Sequence, residues 1–156
     1  MTGDLSYNEA TEKQKREDLT VIQIIFGKKG SGKTKRILDM ANEVAKEAKG
    51  DVLFVDDDRK YTLSLKPQVR FIDASEYNVK GEVAFYGFLA GILAGNYDIS
   101  VIFVDAFLKL TQLDAANAEA IFAKIEKLAS HANCDIIISF SEDAENAPES
   151  IRKYAI

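Results

Sequence analysis

The sequence predicts an α/β protein of three layers, with a mostly parallel five-stranded sheet and helices on both faces. Three observations lead there. Five short runs of β-branched and aromatic residues recur along the 156-residue chain, most spacers between them carry apolar residues at helical spacing, and the first run passes through a glycine-rich loop into such a spacer. Alternation of this kind builds parallel sheets, because two parallel strands need a crossover between them. The length and a composition of 47% hydrophobic and 29% charged residues suit one core of ordinary size. We therefore expect a polar tail over 1–20, frayed or disordered, and a single domain over 21–156.

Val21 to Phe26 is the first expected strand, and the following loop is Gly27-Lys28-Lys29-Gly30-Ser31-Gly32-Lys33-Thr34. Ile37, Leu38, Ala41, Val44, Ala45 and Ala48 then keep helical spacing, predicting a helix from about Lys33 to Lys49 that stops at a left-handed Gly50. Asp51 to Val55 is a second buried strand, ending in the acid run Asp56-Asp57-Asp58. Val69 to Ile72, after Pro67, is a third. From Glu82 to Asn96 the chain is apolar on nearly all sides around Gly87, Gly91 and Gly95, each costing a helix about 1 kcal/mol relative to alanine. Two accounts stay open for that segment: packing on its own sheet, or a homodimer contact through the glycine face.

Ser100 to Asp105 is the fourth strand, four apolar residues closing on an acid. Asp114 reads as the N-cap of a helix whose apolar face is Ala118, Ile121, Phe122, Ile125, Leu128 and Ala129. Asp135 to Ser141 is the fifth strand, and Pro148-Glu149 opens a last short helix bearing Ile151 and Tyr154. Cys134 reads as a small buried hydrophobe, and the lone His131 as a helix-end surface residue rather than a zinc ligand. A formal net charge of −5 disfavours nucleic acid as a partner, and neither a signal pattern nor a membrane span is legible, so a cytoplasmic location is expected.

The chemistry concentrates in the loop. Glycines at 27, 30 and 32 permit positive φ and close backbone approach, so successive amides can form a nest for an anion at a helix N-terminus. Lys33 can reach the β- and γ-phosphates of a nucleotide, and the Thr34 hydroxyl can ligate Mg²⁺. Gly27 to Thr34 matches the Walker A motif at every fixed position, and the chain from about Val21 to Ser141 resembles the P-loop NTPase superfamily of the ASCE, RecA-like type. It is also similar to small ATP-binding proteins grouped as twitching-motility-like on their P-loop.

That resemblance implies ATP or another NTP with Mg²⁺. Val101 to Asp105 resembles a Walker B strand, which makes Asp105 the second metal residue beside Thr34. Ser139 or Ser141 is placed where such ATPases keep a polar sensor. Many of them carry a glutamate after the Walker B acid, but here that position is Ala106. Asp56, Asp57 or Asp58 would have to polarise water instead, with Lys33 and Ser139 completing the catalytic set. Lys28 stands where partitioning-type ATPases keep a signature lysine, although Lys29 replaces their glycine. The expected function is a slow ATPase or nucleotide-dependent switch. A nucleoside-type kinase is an alternative, since Asp58-Arg59-Lys60-Tyr61 resembles the thymidine-kinase layout, and a non-catalytic nucleotide-binding interaction protein is another.

Overall fold

The computed structural model describes residues 21–156, so the expectation for 1–20 lies outside the described residues. Five strands form one parallel sheet: β1 (Ile22–Phe26), β2 (Asp51–Asp56), β3 (Val69–Asp73), β4 (Ile99–Val104) and β5 (Asp135–Phe140), in the order β1-β5-β4-β2-β3. All four ladders are parallel. The helices are α1 (Lys33–Ala45), α2 (Glu82–Gly95), the short α3 (Phe107–Thr111), α4 (Glu119–Ala132) and the short α5 (Glu149–Arg152). None of the described helices is long and apolar enough to cross a membrane.

The chain runs across the sheet from β1 to β2 and β3, then turns back to fill the gap with β4 and β5. Right-handed crossovers made in opposite directions put their helices on opposite faces. Accordingly, Ile37, Leu38 and Ala41 of α1 pack with Ile25, Val52, Phe54 and Phe103 on one face. Phe85 and Leu89 of α2, Phe107 of α3 and Ile121, Phe122 and Ile125 of α4 fill the other. Phe107 joins them, with its ring 5.2 Å from Phe85 and 5.1 Å from Phe122.

The reversal also sets β5 between the strand that feeds the glycine loop and the strand that leads into Asp105. In register, Ser139 lies opposite Ile25 and Ile138 opposite Val104, so the ends of β1, β5, β4 and β2 form one continuous edge. Sheets of this kind bind ligands beyond the strand carboxyl ends at such a reversal. The outer edge of β1 is closed by the chain end: Ile24 N–H donates to Tyr154 O at 2.9 Å and Ile156 N–H to Ile24 O at 3.0 Å. Pairing removes an exposed strand edge.

Several sequence expectations need correction. Helix α1 ends at Ala45, and Gly50 is not left-handed. Gly50 is required by close approach instead, since an added Cβ would lie 2.1 Å from the Asp98 carbonyl oxygen. Asp114 does not cap the long helix: it precedes a 3-10 turn, Ala115–Asn117, and burial of Ala115 and Ala118 moves the helix start to Glu119. The fifth strand closes at Phe140, leaving Ser141 exposed. In contrast, Cys134 is fully buried and His131 is exposed in the last turn of α4, as read from the sequence.

Candidate functional site

The glycine loop joins β1 to α1 as expected, but its glycines serve different ends. Gly30 and Gly32 both have φ of +87°, a backbone that side chains resist. Gly27 does not have positive φ; a Cβ there would meet Ser31 Oγ at 2.3 Å, so a larger residue would oblige the Ser31 side chain to turn away. Its N–H is also engaged, donating to Phe140 O at 3.2 Å and Glu142 O at 3.0 Å, which corrects the expectation that all three glycines open a nest. Ser31 N–H closes the loop on Lys28 O at 3.0 Å. Gly32 caps α1 without a side chain to satisfy the first helical amides, leaving those donors for an anion.

Across from the loop, β4 and β5 present their ends. Thr34 Oγ1 donates to Asp105 Oδ2 at 3.4 Å, and Ser139 Oγ donates to Asp105 Oδ1. Asp105 and Ser139 are 7% and 1% exposed, and Lys33, the first residue of α1, is 8% exposed. Burial of polar groups costs free energy unless they are paired, and here the Asp105 carboxylate is paired with both hydroxyls. Mg²⁺ takes oxygen ligands at about 2.0–2.1 Å in octahedral array, which sets neighbouring ligand oxygens roughly 3 Å apart. A hydroxyl and a carboxylate oxygen 3.4 Å apart fit that donor set.

The acid run divides into three environments. Asp56 is the last residue of β2, 3% exposed, and opposite Asp73 in the ladder. Burial, followed by the charge of Asp105, pushes its carboxyl up to about 8, against a bond accepted from Asp57 N–H at 2.7 Å. Asp57 goes the other way: burial raises it, but the Lys109 ammonium outweighs burial and holds it below the usual range. Asp58 is exposed and accepts from Lys60 N–H at 2.9 Å. The three carboxylates offer oxygens within 4.8 Å of one another.

Three features were not anticipated from the sequence. Lys109 reaches back from α3 to Asp57, a contact between residues 52 positions apart whose only signal is a lysine one turn beyond the Walker B-like strand. Lys28 pairs with Asp143 at 3.3 Å, tying the loop to the segment after β5. Ala106, which directly follows Asp105, has φ 63° and ψ 32°. Left-handed alanine costs roughly 1–2 kcal/mol. Arg59, considered above as a kinase residue, pairs with Glu76 at 2.8 Å.

A groove of about 900 Å³ lies at the opposite end of the sheet, between Lys49–Asp51, the end of α2 and the end of α4. Smaller clefts of about 480 and 350 Å³ flank α1 near Gly32 and Thr34. The buried polar groups and the glycine loop converge instead at the carboxyl ends of the strands, where backbone amides and charge can meet an anion. No family model and no curated protein matches the chain. Among solved structures, the flagellar accessory protein FlaH from Methanocaldococcus jannaschii is similar at a TM-score of 0.47 and 19% identity, covering 85% of this chain and 65% of that one.

Proposed function

We propose that this protein binds a Mg²⁺-nucleoside triphosphate, with ATP as the first candidate, and hydrolyses it slowly or uses it as a switch. The observation that carries the reading is the 3.4 Å approach of Thr34 Oγ1 to Asp105 Oδ2 beside a complete Gly27–Thr34 loop. In this reading, the amides of the loop and of the first turn of α1 hold the phosphates, and Lys33 neutralises the β- and γ-phosphate oxygens. Thr34 and Asp105 hold the divalent cation, which supplies charge neutralisation at the phosphates. Ser139 fixes one oxygen of Asp105 and so leaves the other turned to Thr34.

Of the three acids, Asp56 is the one positioned to polarise water, since Asp57 is committed to Lys109 and Asp58 is in solvent. Its carboxyl, pushed up to about 8 by burial, is mostly protonated near neutral pH in the metal-free protein, which leaves only a minor ionised fraction to act as a base. A positioned base contributes typically 10²- to 10⁴-fold, so slow turnover follows. Phosphate release by the purified full chain tests this. Turnover far below 1 per second that falls further in Asp56→Asn supports it, and hydrolysis at tens per second by either protein overturns it. Identical hydrogen-exchange protection with ATP and ADP would remove the switch.

A further inference from the structure

We propose that Lys109 is a positioning residue of the candidate site: its ammonium is a tethered counter-ion for the acid run after β2, keeping divalent cations off those carboxylates and leaving Asp56 unligated. Its purpose rests on the reading of the site as one for a Mg²⁺-triphosphate; the contact itself does not. Lys109 pairs with Asp57, far away in sequence. The pair differs from the local ones along α1 and its end, Lys35–Asp39 and Lys46–Glu43, in which both partners lie in solvent. Here the Asp57 side chain is 14% exposed, while Lys109 reaches it from water. A carboxylate largely withdrawn from water needs a counter-charge, and Lys109 supplies it.

Without that ammonium the run would offer a metal a set of donors. Oxygens of Asp56, Asp57 and Asp58 lie within 4.8 Å of one another, and Mg²⁺ and Mn²⁺ favour such hard oxygens. The run also adjoins the candidate metal residue, because Asp105 N–H donates to Val55 O at 2.9 Å and is drawn alongside the end of β2. A cation on the run would engage Asp56, the acid assigned to water, and would compete with the Thr34–Asp105 pair. What marks the run is the ammonium seated on it, not the acids themselves. The bond to Asp57, then the charges of Asp58 and Asp56, hold the Lys109 ammonium above its usual range. It cancels one of the charges on which metal affinity depends and occupies an oxygen that would ligate.

The backbone sets this placement. Left-handed Ala106 turns the chain from Asp105 straight into α3, whose buried side is Phe107, Leu110 and Thr111. Lys109 stands two residues on from Phe107, about 200° round the axis. Left-handed Gln112 then ends the helix. Among the described residues no other lysine or arginine pairs with the run: Lys28 is on Asp143, Lys35 on Asp39 and Arg59 on Glu76.

Mn²⁺ titration of the nucleotide-free full chain at neutral pH, with free Mn²⁺ read by electron paramagnetic resonance, tests the proposal. Lys109→Met should bind one Mn²⁺ more than wild type, at least about tenfold tighter than the wild-type run binds it. Lys109→Gln, a polar replacement at an exposed position, should do the same. Lys109→Arg keeps the charge and should behave as wild type, and adding Asp57→Asn to Lys109→Met should abolish the extra site. Equal Mn²⁺ binding by wild type and both neutral variants would overturn the proposal. So would an extra cation that survives Asp57→Asn or appears equally in Lys109→Arg. The titration contains no nucleotide, so its outcome is separate from whether Mg²⁺-ATP raises the melting temperature.

Discussion

Asp56→Asn should flatten the pH dependence of stability, because it removes a buried carboxyl whose folded and unfolded proton affinities differ. The unfolded side chain titrates near 3.8 and the folded one at about 8, raised by burial and by Asp105. Between those values the native state holds a proton that the unfolded state has lost, so stability falls as pH rises and levels off above about pH 8. A shift of about 4 units at roughly 1.4 kcal/mol each sets a ceiling of about 5–6 kcal/mol. About three of those units lie above pH 5, and the effective dielectric of real strand ends reduces the cost further, to an expected 1–3 kcal/mol. Urea unfolding followed by circular dichroism in EDTA, from about pH 5 to pH 9, reads the difference between variant and wild type. That difference should grow in favour of the variant by the stated amount. Parallel profiles, with a constant difference within about 0.5 kcal/mol, would refute the claim that this carboxyl is held protonated.

Two further substitutions test the backbone around the site. Gly50→Ala should destabilise by about 2–4 kcal/mol in the same unfolding assay, since its Cβ would lie 2.1 Å from the Asp98 carbonyl and backbone must move. Ala106→Gly should stabilise by about 0.5–1 kcal/mol, because the left-handed backbone at φ 63° no longer opposes a Cβ and the gain exceeds the added freedom of the unfolded chain.

The five strands could be read in advance because each is a β-branched or aromatic run bounded by turn residues, and burial on both faces leaves little else such runs can become. The loop from Gly27 to Thr34 was legible for a different reason: its spacing is fixed by the ligand it suits. What stayed hidden depends on partners distant in sequence. Gly50 looked like a helix stop because nothing local announces that the Asp98 carbonyl will press against it. The three adjacent aspartates read alike until the sheet buries one, Lys109 claims the second and the third is left in water. In α2 the pattern carried no direction, since a helix apolar all round does not reveal which side meets its own sheet. Asp114 offered a good cap, but the burial of two alanines decided where the helix began.

The central claim is that the Gly27–Thr34 loop and Asp105 hold a magnesium-bound triphosphate, and thermal unfolding against ATP with and without Mg²⁺ tests it most directly. Ligand at 100 times its dissociation constant stabilises the fold by about 2.7 kcal/mol. For a domain of this size, each kcal/mol is worth about 2–4 °C in Tm. The account predicts a rise of several degrees that requires Mg²⁺, shrinks in Asp105→Asn and disappears in Lys33→Ala. An unchanged melting temperature in wild type across ATP, GTP, CTP and UTP with Mg²⁺, or a rise that survives in Lys33→Ala, would contradict it.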